Sequence, residues 1–316
     1  MILTITLNTA LDVTYRLAAV RWHGANRVKE VRCRAGGKGI NVARVLHALG
    51  RDAVVTGFAG GPTGEQVRAD LAAAGLHEQL VTIAGDTRRT VAVVETAASD
   101  AATLLSEPGP RITGAEWRRL LGHVDGLLDG AEAMVLSGSV PPGVPPDGYA
   151  RLARQAAAAG VPVLLDADAA ALRLGVAGRP AVAKPNWEEL HRATSARDPL
   201  TGAETLRRAG AEAVVVSLGP DGLLASTPEG GWRAVLPDRL AGNPTGAGDA
   251  AVAALAVGVA SGQPWPLRLT HATALSGAAV RAPLAGGFDQ VVYQDLLARV
   301  RVTPLTTGEG AQRGEP

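Results

Sequence analysis

The stretch DGYARLARQAAAAGVPVLLDAD, residues 147–168, decides the fold. Residues 147–160 carry helical period and stop on Gly160, a residue that ends helices because it accepts the left-handed conformation. The apolar run that follows gives way to Asp166 and Asp168, which reads as a strand handing over to a polar turn. The same alternation extends in both directions. Strand-like runs AVVTGF (53–58), AMVLSG (133–138), PAVAKPN (180–186) and AVVVSLG (213–219) are interleaved with the helical stretches GINVARVLHALG (39–50), GEQVRADLAAAGL (64–76) and TGAETLRRAG (201–210). Strand, helix and strand at this spacing predicts an α/β fold, a mostly parallel sheet with helices on both faces.

Two segments break the rhythm. Residues 13–35 and 87–106 alternate apolar with charged or hydroxyl residues at period two, the pattern of strands with one wet face. They predict a small antiparallel sheet, discontinuous in sequence, that projects as a lid. The last residues, TPLTTGEGAQRGEP, have no apolar face and read as a disordered tail. No internal repeat is present.

Composition excludes several classes. The 31 basic and 30 acidic residues are interspersed, and aromatic content is 3%, so both the electrostatic footprint and the stacking platforms of a nucleic-acid binder are missing. No apolar run is long enough to span a membrane, and MILTITLNTALD has no basic leader region before Asp12. Cys33 is the single cysteine, so no internal disulfide or zinc cluster is expected. These features fit a cytoplasmic enzyme acting on small molecules.

In a parallel α/β sheet, ligands bind outside the carboxyl ends of the strands. Polar or small residues stand there repeatedly: Asp12 after LTITLN, Ser137-Gly138-Ser139, Lys184-Pro185-Asn186 and Ser217-Leu218-Gly219. The stretch NPTGAGDA (243–250) puts Asp249 at the mouth of an apolar helix, behind Gly246-Ala247-Gly248. An acidic helix cap is one reading; an anion-cradling turn with a proton-accepting carboxylate is the other. GGKGIN (36–41) lets the backbone approach a ligand and adds the mobile cation Lys38, which suits a polyhydroxylated or phosphorylated molecule; a tight turn with a solvated lysine is the alternative. GGKG is not a Walker P-loop, because Arg32 stands where that motif needs glycine. No G-x-G-x-x-G follows a strand and opens a helix, and H-E-x-x-H and G-x-S-x-G are absent. Asp166 and Asp168 form a D-x-D that is either a metal pair or a turn and cap. The six histidines are scattered and receive no role.

The motifs TLNTALD, GGKGINVARVL, GDTRRTV, LSGSVPPGV, AKPNWEEL, VSLGPDG and PTGAGDA, in this order, resemble the PfkB-type (ribokinase-like) carbohydrate kinases. The similarity runs from about residue 2 to 300 and points to the hexose-phosphate branch, that of 1-phosphofructokinase and tagatose-6-phosphate kinase. It implies a ribokinase-like three-layer sandwich with a small β lid, one domain over residues 1–303 and a tail at 304–316. It also implies ATP and Mg²⁺, a sugar-phosphate substrate and, by analogy with lids that meet across interfaces, a homodimer.

Carried over to matching positions, the resemblance makes Asp249 the catalytic base and the backbone of Gly246, Ala247 and Gly248 the anion hole. Asp12, Gly36, Gly37, Asn41 and Ser137 would hold the sugar, while Lys38 and Arg88 would grip its phosphate. Asn186 and Glu189 would organise magnesium through water. Lys184, Asn186, Ser217, Gly219, Gly222 and Gly248 would line the nucleotide site. The sequence departs from the family pattern at Thr9 (usually proline), Ser106 (commonly asparagine before E-P-G-P), Pro244 and Ala250. None of these removes a charge from the mechanism, and Thr9 and Ser106 bear on substrate choice. Function reads as phosphorylation of a ketohexose monophosphate, D-fructose 1-phosphate first and tagatose 6-phosphate second. A non-catalytic sugar-phosphate sensor and a glycosyltransferase using Asp166 and Asp168 are the competing classes.

Overall fold

The computed structural model describes residues 1–96 and 101–305. In chain order the strands are β1 (Ile2–Thr6), β2 (Ala10–Leu17), β3 (Glu30–Gly36), β4 (Ala53–Ala59), β5 (His77–Glu78), β6 (Val81–Thr82), β7 (Arg88–Glu95), β8 (Ala101–Ser106), β9 (Ala133–Ser137), β10 (Val163–Asp166), β11 (Val182–Ala183), β12 (Ala213–Ser217), β13 (Leu223–Thr227), β14 (Gly230–Val235) and β15 (Arg301–Pro304). The helices are α1 (Lys38–Ala48), α2 (Gly61–Ala73), α3 (Gly114–Leu128), α4 (Gly148–Ala158), α5 (Ala169–Gly175), α6 (Trp187–Thr194), α7 (Pro199–Arg208), α8 (Ala247–Ala260), α9 (Trp265–Val280) and α10 (Gln290–Leu297).

Among the described residues, one large sheet has the order β15-β14-β13-β12-β11-β10-β9-β1-β4-β5, with β6 also on β4. Neighbours from β12 across to β4 run parallel. ILTIT, AMVLS and VLLD are buried along their whole length. A strand covered on both faces needs continuous apolar residues, which is why these runs do not alternate. Leu3, Ile5, Met134, Leu136 and Leu165 pack under α3 and α4 on one face. Ile2, Val135 and Leu164 pack under α1, α8 and α9 on the other. Helix α8, apolar on nearly every side, is buried almost completely, as such a helix must be. The expected three-layer α/β architecture is therefore present.

Three features differ from the sequence reading. The strands β13, β14 and β15 add an antiparallel edge that was not anticipated. β15 takes up residues 301–304, and Leu305 packs against the core, so the chain stays ordered past the expected start of the tail; residues 306–316 lie outside the described residues. The lid is a four-stranded sheet of order β3-β2-β7-β8, and its two hairpins are antiparallel as expected. Its central pair, β2 and β7, is parallel, because β2 and β7 both leave the main sheet in the same direction. The lid begins at Ala10, ahead of the expected residue 13, so Asp12 sits on the first lid strand and not in a loop after β1. Residues 18–29 form no strand, and residues 97–100 of the expected second lid segment lie outside the described residues. Leu11, Val13, Ile40 and Val67 seat the root of the lid on α1 and α2.

Candidate active site

The carboxyl ends of β1, β9, β10, β11 and β12 lie side by side because the strands are parallel and in register. Two glycine-rich helix starts face this edge. Gly37 caps α1 at φ 112°, and Gly246 caps α8 at φ 88°, both conformations that a side chain would strain. Residues 39 and 246 are over 200 apart in sequence, yet the corners meet: Asn41 Nδ2 donates to Asp249 Oδ2 at 2.8 Å. Only one carboxylate oxygen is used in this bond, which leaves the other for an incoming group.

Asp249 is 7% exposed. Burial and the neighbouring Asp166 push its pKa up to about 7, against the opposing pull of Asn41, Lys38 and Lys184. A helix dipole by itself favours an ionised carboxylate; desolvation outweighs it here. The backbone around it also differs from the expectation. Ala247 N–H turns back to the Pro244 carbonyl at 3.1 Å, so among the described residues the helix-start donors left for a ligand are those of Gly246, Gly248 and Asp249.

Asp166, read from sequence as a turn residue or half of a D-x-D pair, is the hub of a buried ionic cluster. Its Oδ1 lies 3.3 Å from Lys38 Nζ and 3.7 Å from Lys184 Nζ, and its Oδ2 accepts from Ser137 Oγ at 3.4 Å. Burial opposes its charge, but Lys184 and Lys38 more than compensate, and the pKa falls. Asp168 instead caps α5 through Ala171 N–H, so the two aspartates do not act as a pair. Ser137, expected on the sugar, is wholly buried behind Asp166.

Lys38 lies between carboxylates. Its Nζ is 3.3 Å from Asp166 and 3.3 Å from Glu189, with Asp249 also near enough to raise its pKa against the cost of burial. Arg88 stands elsewhere: its Nε donates to Asn8 O (3.2 Å), its Nη1 to Glu107 O (3.1 Å), and its charged neighbours are Asp12 and Glu107. The two cations expected to converge on one phosphate therefore have separate surroundings. Asp12 faces Arg34 and Thr90 across the lid; burial raises its pKa, with Arg88 the strongest opposing influence. A Cβ on Gly36 would overlap the Asp12 carboxylate, which is why that position is glycine.

Asn186 and Glu189 form a complete capping box on α6. Glu189 N–H donates to Asn186 Oδ1 (2.8 Å), and Asn186 N–H donates to Glu189 Oε2 (2.9 Å). The remaining oxygen, Oε1, turns toward Lys38. Asn186 bridges to Ser217, so the N-x-x-E corner adjoins the SLGPDG loop, where Gly219 opens a 3₁₀ turn and Gly222 caps its end. Lys184 Nζ lies 3.5 Å from the place a Cβ on Gly248 would occupy, at the start of α8. Among the described residues, no three His, Cys, Asp or Glu side chains converge as a metal cage, and no helix is long and apolar enough to cross a membrane. Cys33 and Arg27 are exposed on the lid and its connecting loop.

A carboxylate near neutrality, helix-start N–H donors and two lysines at the edge of a parallel sheet define a phosphotransferase with a hydroxyl acceptor. The pfkB family carbohydrate kinase model matches residues 5–289, and the chain belongs to that family. Among solved structures it is similar to the tetrameric inhibited form of phosphofructokinase-2 from Escherichia coli (30% identity, TM-score 0.87, covering 94% of this chain and 98% of that one). It is also similar to a possible 1-phosphofructokinase from Thermotoga maritima (25% identity, TM-score 0.86, covering 96% and 99%).

Proposed function

We propose that this chain transfers the γ-phosphoryl group of ATP to a ketohexose monophosphate, D-fructose 1-phosphate at its 6-hydroxyl, giving fructose 1,6-bisphosphate. The observation that carries the reading is the Asn41–Asp249 contact, which brings the sugar-side corner and the phosphoryl-side corner together around one buried carboxylate. Asp249 takes the proton of the attacking hydroxyl. The N–H groups of Gly248 and Asp249, with Lys184 and Lys38, receive the charge of the transferring group. Lys38 is assigned to that group and not to the acceptor's phosphate, because its partners are Asp166 and Glu189.

Arg88 supports a phosphorylated acceptor. Two of its donors are committed to the carbonyls of Asn8 and Glu107, which fixes the guanidinium plane and leaves its other N–H groups for an anion. The Glu189 carboxylate, with one oxygen turned to the site, and Asn186 fit a largely hydrated Mg²⁺ held through water. Bound there, the ion would screen the nucleotide's phosphate charge. On the lid, Val31, Leu104 and Leu105 are 56%, 59% and 57% exposed, and a second copy of the chain covers them in a homodimer.

The test is an ADP-release assay with ATP and magnesium on fructose 1-phosphate, fructose 6-phosphate, tagatose 6-phosphate and unphosphorylated sugars. Fructose 6-phosphate belongs in the set because the Escherichia coli phosphofructokinase-2 has been solved with it. The highest kcat/KM is expected with fructose 1-phosphate. A preference for tagatose 6-phosphate moves the assignment within the same class; turnover of free sugars alone overturns it.

A further inference from the structure

The loop between α9 and α10 holds itself with turn bonds at Ala282 and Gly287, but its Ala285 carbonyl is taken from outside. The donor is Arg34 Nη1, at 2.7 Å, from the lid edge strand β3. This loop is wedged between the two catalytic corners. Ala285 Cα and Cβ lie 2.8 and 3.0 Å from where a Cβ on Gly246 would stand. The corresponding point on Gly286 lies 3.1 Å from Asn41 Cα and 3.2 Å from Asn41 Oδ1. Asn41 in turn holds Asp249. A cavity of about 410 Å³, bounded in part by Arg34, Arg281, Leu284 and Phe288, borders the same loop, so close packing does not enclose it there.

We propose that Arg34 is a positioning residue that ties the lid to the Ala285–Gly286 loop and through it sets Gly246, the helix start and Asn41 around Asp249. The physical reason is short. Gly246 has no side chain of its own to fix its backbone, and the Asn41 side chain, on the first turn of α1, has Gly286 packed against it. A loop pinned by a charged donor supplies both constraints, and the donor stands on the element that must be seated before transfer is useful. Arg34 touches none of the reacting atoms in this arrangement. It also faces Asp12 across the β2–β3 pair, so a small rise in acceptor KM accompanies its loss, and the larger effect falls on the rate of the assembled complex.

The inference rests on Asp249 being the base, and the experiment separates the two. Arg34→Met is assayed with whichever acceptor the wild type turns over, in the wild-type and Asp249→Asn backgrounds, with circular dichroism and thermal melting to confirm the fold. In the wild-type background kcat is expected to fall by about 10- to 100-fold, with both KM values moving less than about threefold. In the Asp249→Asn background the same change costs much less, because the group being positioned is already gone. Arg34→Lys, which keeps a shorter charged donor, recovers part of the loss. Unchanged kcat, a selective rise in acceptor KM at full kcat, or full additivity with Asp249→Asn overturns the proposal. If Arg34→Met does not fold, Arg34→Lys decides alone: an intermediate loss of kcat supports it, and an intact kcat overturns it. A full rate in Asp249→Asn by itself overturns the base assignment instead.

Discussion

Asp249 shows at the level of one residue how burial and function trade against each other. Burial raises its carboxyl pKa to about 7, which makes it more basic than an ordinary carboxylate and leaves it largely ionised in mildly alkaline solution, as the proposed base requires. Asp249→Asn is expected to lower kcat by roughly 10²–10⁴ while leaving acceptor binding, measured by calorimetry, largely intact. In the wild type, kcat/KM should fall about tenfold per pH unit below neutrality, and this acid limb should vanish from the residual activity of the variant. The same shift has a consequence for stability. Between the ordinary carboxylate value of 3.8 and about 7, the folded state binds more protons at this group than the unfolded chain does. Its contribution to folding therefore weakens as pH rises through that window and stays low above it. Asp249→Asn should accordingly melt a few degrees higher than the wild type at pH 8, with the gap closing towards pH 4. Equal melting temperatures at both pH values would contradict the burial argument.

At the scale of the element, the helix starts gather the candidate site groups and their caps hold them in place. The N-x-x-E motif is a capping box, closed by one Glu189 oxygen, while the other turns to Lys38 and is the one proposed to face magnesium. Asn186→Ala removes the side-chain acceptor from α6 and should destabilise the protein by about 1 kcal/mol in urea unfolding. It also frees Glu189 to rotate, so the KM for magnesium–ATP should rise while that for the acceptor stays near its wild-type value. An unaltered nucleotide KM would mean that the box is structural only. The register of Asn186 with Glu189 was readable from spacing, because helix geometry fixes which residues meet three positions apart. That Glu189 also reaches Lys38, 151 residues away, was not, because no local rule governs that distance.

For the whole molecule, the lid is the element through which the proposed homodimer would form. Its root packs on α1 and α2, its strand β2 carries Asp12, and its outer residues Leu104 and Leu105 stand in solvent in the isolated chain. If a second copy covers them, sedimentation of the wild type should give twice the chain mass, and Leu104→Glu with Leu105→Glu should give a monomer with a raised acceptor KM. A wild type that sediments as a monomer at assay concentration would remove the lid interface. The relative solved in tetrameric, inhibited form shows that this architecture supports assembly in at least one member of the family.

The alternation of apolar runs and glycine stops determined the parallel sheet, the covering helices and the existence of a lid, since each of these depends on periodicities of a few residues. The two glycine-rich corners were legible as sites for the same reason: glycine before a helix start carries a local conformational meaning. Only the tertiary structure decided which groups share a charge environment. It placed Asp166 between two lysines, gave Lys38 and Arg88 different acidic neighbours, buried Asp249 deeply enough to move its pKa, and brought Arg34 to a loop 251 residues away. Burial and Coulomb interaction depend on distances through space, which the order of residues along the chain does not contain.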